Sequence, residues 1–130
     1  GKVRPLLKAA GSVVLAGFIV SLGFLTVARN QDWSDPVAFY RKTIHYNPKS
    51  HRLHYNLGNE YRARDLWPEA ENAYKEAVRL KPNFAPAHNN LGNIYLMKGD
   101  KAGARNEYTS ALQYDPTLSS ARENLRVLGR

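Results

Sequence analysis

Three asparagines, Asn56, Asn90 and Asn124, stand 34 residues apart, and Asn59 and Asn93 repeat the same interval. A side-chain amide is donor and acceptor at once. A column of them can therefore pair with the backbone of an extended polypeptide without reading its side chains. Tyr55 and Asn89 immediately precede two members of the column, and Arg52 and Arg62 nearby carry charge that would favour acidic ligands. Together these residues form the candidate peptide-binding groove. The other assignment open to the asparagines is packing or plain surface, and to the two arginines solvated charge.

Other chemistry is sparse. His51-x-x-His54 could set two imidazoles on one helical face, but no third ligand stands near and His54 shares its packing position with His88. Both read as structural or surface histidines, so neither a metal nor another cofactor is expected. Asp65, Glu69 and Glu71 around Trp67 read as charges at a helix start, not as a catalytic pair. The absence of cysteine removes thiolate nucleophiles, disulfides and thiolate metal sites. No glycine-rich phosphate loop follows a strand, and no strand pattern exists. The chain is expected not to be an enzyme by itself.

The elements that must position the asparagines follow from the same period. At a shift of 34, Leu57-Gly58-Asn59 returns as Leu91-Gly92-Asn93, Tyr61 as Tyr95, Ala70 as Ala104, Tyr74 as Tyr108 and Ala77 as Ala111. Pro48, Pro82 and Pro116 keep the interval too. Each unit reads as two helices of roughly 13 residues, with Gly and Ala where they cross closely and Leu and Tyr filling the space between. The residue before a proline is pushed out of the helical region, so Pro82 and Pro116 end the second helices. Gly99-Asp100 supplies a helix stop and a start, and Asp35-Pro36 an N-cap with a first-turn proline.

With residue 51 as position 1, the Leu-Gly…Tyr…Ala…Tyr…Ala…Pro pattern fills positions 7, 8, 11, 20, 24, 27 and 32 and resembles the tetratricopeptide (TPR) repeat. His54 and His88 replace the Trp usual at position 4. The resemblance implies an all-α helix-turn-helix solenoid of about 2.5 repeats plus a capping helix, and the apolar stretch before it is expected to add one hydrophobic transmembrane helix. The expected divisions are a basic flank and span over residues 1–30, a half repeat over 31–50, repeats over 51–84 and 85–118, and a cap over 119–130. In the half repeat Tyr40 and Pro48 take positions 24 and 32, and its first-helix slot falls on residues 17–30. The membrane helix, or something outside this piece, is expected to cover the open face of helix 36–46. In the cap Leu125 keeps position 7 while Arg126 replaces the Gly of position 8, and Arg122, Glu123 and Arg130 make a polar end.

TPR first helices line a concave face. The column of Asn at position 6 is similar to the superhelix of O-GlcNAc transferase, which implies recognition of peptide backbone. A clamp for an acidic C-terminus fits less well, because the usual Lys at position 5 is missing.

Charge divides the chain. Of its 130 residues 19 are Lys or Arg and 11 Asp or Glu, a net +8, yet every acidic residue lies from Asp32 onward. Between Lys8 and Arg29 runs an uncharged stretch, residues 9–28, whose twenty residues would rise about 30 Å as a helix, the thickness of a bilayer core. It is apolar on every side, so the lipid bilayer is an expected partner. A cleaved signal peptide would share the basic start and could use Thr26-Val27-Ala28, but the stretch is long for a signal core and the chain opens with Gly. A buried soluble helix is the third reading. The missing Met suggests a piece of a longer protein. Lys2, Arg4 and Lys8 favour a cytoplasmic N-terminus, with the repeats on the non-cytoplasmic side. The remaining basic residues are scattered over many helices, which argues against nucleic acid.

The junction Arg29-Asn30-Gln31-Asp32-Trp33…Phe39-Tyr40-Arg41-Lys42…Asn47-Pro48 is similar to that of TMTC-type proteins, as is the ending Leu112-Gln113-Tyr114-Asp115-Pro116-Thr117. Those are multi-spanning proteins whose last membrane helix leads into TPR repeats, the eukaryotic members being protein O-mannosyltransferases. The family's other spans and acidic catalytic loop are absent here, so no catalytic residue carries over. Two functions follow. One is a membrane-anchored protein-interaction module that binds an extended peptide. The other is the substrate-presenting C-terminal region of a multi-spanning glycosyltransferase of the O-mannosyltransferase kind.

Overall fold

The computed structural model describes residues 35–129. The expected flank and span over 1–30, with their bilayer contact at 9–28, lie outside the described residues. Among those described, no helix is long and apolar enough to cross a membrane.

Among the described residues six helices follow one another without strands: α1 (Pro36–Tyr46), α2 (His51–Ala63), α3 (Trp67–Leu80), α4 (Ala85–Met97), α5 (Lys101–Tyr114) and α6 (Ser119–Leu128). Their ends follow local chemistry. Asp35 accepts the Val37 N–H at 3.0 Å and Pro36 opens α1. Asp100 accepts the Gly103 N–H at 2.8 Å and opens α5. Position 15 of each unit needs a left-handed backbone, with Gly99 at φ +80° and Asp65 at φ 58°. Glycine adopts that conformation without cost, and aspartate is among the few other residues that tolerate it. Helices α3 and α5 are followed by the C-cap residues Lys81 and Asp115, each directly before a proline.

Helices α2, α4 and α6 form one layer and α1, α3 and α5 the other. Ala70, Tyr74 and Ala77 of α3 are 0% exposed, as are their counterparts Ala104, Tyr108 and Ala111 of α5. Each tyrosine ring packs directly against a glycine of the preceding helix. A Cβ on Gly58 would stand 2.6 Å from the Tyr74 ring, and one on Gly92 2.5 Å from Tyr108. Only glycine lets these helices approach so closely. Between units, Leu91 and Ile94 of α4 pack on Ala70 and Tyr74 of α3. Val37, Tyr40 and Ile44 of α1 occupy the equivalent place against Leu57 and Ala73. Tyr40 is half-buried where Tyr74 and Tyr108 are fully buried. The final helix seats Ala121 against Ala85 and Ala111, and its outer Arg126 pairs with Glu123 in solvent.

Candidate functional site

Stacking the first helices side by side brings the asparagine column together. Asn90 Nδ2 donates to Asn59 Oδ1 at 3.1 Å, and one unit later Asn124 Nδ2 donates to Asn93 Oδ1 at 2.9 Å. The same two oxygens accept the hydroxyls of Tyr74 and Tyr108, each at 2.8 Å. A tyrosine at position 24, an asparagine at position 9 and the next unit's asparagine at position 6 thus form a recurring triad. Burial pushes the Tyr74 phenol up to about 12, with Arg62 and Asn90 opposing the rise, and burial also raises Tyr108. Both hydroxyls are therefore neutral donors at physiological pH.

These bonds decide what the column still offers. Asn59 and Asn93 have oxygens that each accept twice, leaving their NH2 groups as the donors these bonds do not use. Asn124 gives its two N–H bonds to Asn93 and, at 3.2 Å, to Asn89, leaving its oxygen as an acceptor. Asn90 keeps its own oxygen, though the residue is only 7% exposed. Asn56 is half-buried, and no member of the column stands before it. Tyr55 packs edge-on against Phe84, with ring centroids 5.2 Å apart, and Asn89 is buried. Arg52 and Arg62 are exposed on the same side. The column is therefore a fastener between repeats, and the groups its internal bonds leave over alternate between donor and acceptor.

Position 4 has a second recurring role. His54 Nε2 donates to the Pro48 carbonyl at 2.9 Å, His88 Nε2 to Pro82 at 2.8 Å, and the Arg122 guanidinium to Pro116 at 2.6 Å. Each ties a first helix to the turn that precedes it, a task the usual Trp performs by packing. His51 instead lies edge-on to Phe84 at 4.9 Å, and burial, with Lys81 and Arg52 nearby, lowers its pKa. The two imidazoles are thus held in different places. His88 differs from His54 in having Glu107 Oε2 2.7 Å from its Nδ1. That carboxylate raises the imidazole's pKa against the opposing effect of burial.

Two expectations need correction. Asp65 is not a helix-start charge: it occupies the left-handed turn position, and Leu66 is the residue before α3. Glu71 is not one either. It is buried, bonded to Lys75 at 2.7 Å one turn along and to Lys98 of the next unit. Burial would raise its carboxyl, and the two ammonium groups outweigh that and hold it below the ordinary value.

Comparison with known proteins agrees with this geometry. A TPR repeat family matches residues 58–99 and the tetratricopeptide repeat matches residues 85–118. Protein O-mannosyl-transferase tmtc2 of Xenopus laevis is 37% identical over 70 residues, 54% of this chain and 8% of that protein. The chain therefore spans a small part of that curated relative. The first TPR of Spaghetti (RPAP3), solved bound to HSP90 peptide SRMEEVD, aligns with a TM-score of 0.70 at 18% identity over 86% of this chain and 89% of its own. The crystal structure of MamA aligns with a TM-score of 0.67 at 22% identity over 71% of this chain and 54% of its own. Tetratricopeptide repeats accordingly occupy residues 58–118, within an all-α helical solenoid.

Proposed function

We propose that this chain is a protein-interaction module whose first-helix face binds an extended peptide segment. The observation that carries the reading is the set of amide groups that the bonds within the asparagine column leave unused. The NH2 groups of Asn59 and Asn93 and the oxygens of Asn90 and Asn124 alternate along the face, as the N–H and C=O groups of an extended backbone do. Asn56 extends the series, and Arg52 and Arg62 at its start favour an acidic residue on the ligand. The peptide seen on the first TPR of Spaghetti supports a peptide ligand for the same fold. Selecting binders from a random peptide library and measuring their affinity for wild type and Asn56→Ala tests it. Loss of one backbone hydrogen bond worth about 1.4 kcal/mol weakens binding tenfold. Unchanged affinity removes the column from the binding role.

In this reading residues 9–28 anchor the module in a bilayer, with the repeats on the non-cytoplasmic side. Release of the chain into the soluble fraction by alkaline carbonate would refute the anchor. The likeness to the tmtc2 relative favours a second reading, in which the repeats present polypeptide to a membrane O-mannosyltransferase. Several further spans and an acidic first loop upstream in the gene support it, and a short open reading frame excludes it.

A further inference from the structure

Positions 4, 7 and 11 of a first helix share one side, nearly opposite the asparagines of positions 6 and 9. In the second repeat a side chain of the following helix reaches across to position 4. Glu107, at position 23 of α5, reaches the Nδ1 of His88, while the neighbouring positions 19 and 26 hold the small Gly103 and Ser110. In the first repeat the pattern is inverted. Ala73 stands where Glu107 stands, and Glu69 and Glu76 replace the two small residues. A cleft of about 310 Å³ stands here, lined by Leu57, Tyr61 and Ala73 and edged by His54, Glu69, Asn72 and Glu76.

We infer that this cleft takes a lysine or arginine side chain from a partner polypeptide. His54 gives its Nε2 proton to the Pro48 carbonyl. Its Nδ1 corresponds to the atom that meets Glu107 in the other repeat, where the first repeat has Ala73. Glu69 and Glu76 accept only, and the Asn72 amide can accept through its oxygen or donate through its NH2. Glu76 is already bonded to Arg79 at 2.6 and 2.8 Å, but Arg79 is exposed and fills none of the cleft. A ligand here meets an apolar floor and a rim that carries two carboxylates, with no Lys or Arg among the lining residues. That is the complement of a basic side chain, with its hydrocarbon stem and donor-only head. An aliphatic chain would leave the rim unpaired, and a carboxylate would be repelled. The site lies on the face away from the asparagine column, so it stands or falls independently of peptide binding there.

The test is titration of the full isotope-labelled chain with end-blocked Gly-X-Gly tripeptides, X being Arg, Lys, norleucine or Glu, followed by NMR. The Arg and Lys peptides should shift the Asn72, Ala73 and Glu76 amides saturably, at least tenfold more tightly than norleucine. Glu69→Gln with Glu76→Gln, both on the rim, should weaken the Arg peptide at least tenfold, and Asn56→Ala should leave it unchanged. Ala73→Glu copies the second repeat and should abolish the shifts with the fold retained. Equal binding of norleucine, tighter binding of Glu, no saturable shift with any peptide, or indifference to the Gln pair overturns the proposal. So does a change at the same amides when Lys2, Arg4, Lys8 and Arg29 are replaced by Gln, since the occupant would then be this chain.

Discussion

His88 should make the stability of this solenoid depend on pH in a direction opposite to that of a buried carboxylate. Its Nε2 donates to the Pro82 carbonyl, which can only accept, and its Nδ1 faces Glu107 across 2.7 Å. With Glu107 ionised, both nitrogens must carry protons, so the folded state holds the imidazolium and the pKa rises above the ordinary 6.5. Glu107 from α5 is the charged group facing it, and Tyr114 of the same helix adds a ring 5.5 Å away. The sign follows from linkage. Between the unfolded and folded pKa values the native state binds the extra proton, so stability falls as pH rises through that window. Below 6.5 the contribution is complete; above the folded pKa it is gone.

The perturbation is Glu107→Gln, which keeps shape and a neutral acceptor. A hydrogen bond between charged groups contributes about 1.5–3 kcal/mol and a neutral one about 0.5–1.5, so the variant should lose about 1–2 kcal/mol where His88 is charged. Urea unfolding from pH 5 to 9 reads this without the screening that guanidinium would add. The gap between wild type and variant should be widest at the acid end and close toward the alkaline end. A gap that widens with pH, or an NMR midpoint for His88 at or below 6.5, would refute the arrangement.

Three further outcomes are expected. Gly92→Ala should destabilise by about 1–2 kcal/mol in urea: alanine gains about 1 kcal/mol of helix propensity, but the 0%-exposed Tyr108 ring cannot withdraw and overpacking costs up to about 3. Asn59→Ala should cost about 1–3 kcal/mol by leaving the Tyr74 hydroxyl and the Asn90 amide without their acceptor, while Asn56→Ala should stay within about 0.5. Asp100→Ala should cost about 1 kcal/mol by removing the cap on Gly103, visible as a lower urea midpoint at unchanged slope.

The helices were legible because each boundary has a local cause that also repeats. Asp35-Pro36, Gly99-Asp100 and the prolines at 82 and 116 mark starts and stops that the structure keeps within a residue or two. Gly58 and Gly92 announce the close crossings, since a glycine inside a helical pattern needs a packing reason. Asp65 was misread because its left-handed turn is visible only by analogy with Gly99, one period later.

The site was legible to the same extent and no further. Period 34 exposed the asparagine column because its residues recur, and a recurring residue in a solenoid meets its neighbour's copy by construction. The interval of 31 between Asn59 and Asn90, and between Asn93 and Asn124, is the same contact made twice. What distinguishes one repeat from the next occurs once. Glu71 meets Lys98, but their counterparts one unit earlier are Val37 and Arg64, and the counterpart of Glu71 one unit later is Arg105. No periodic signal can mark such a pair, because only the packing of α3 on α4 joins residues 27 apart. His54 and His88 look alike in sequence and behave differently for the same reason: the residue that decides, Ala73 or Glu107, sits on the following helix at a position the repeat pattern leaves unconstrained. Individuality in a repeat array therefore collects at its unconstrained positions, and a ligand specific to this chain has to be sought there.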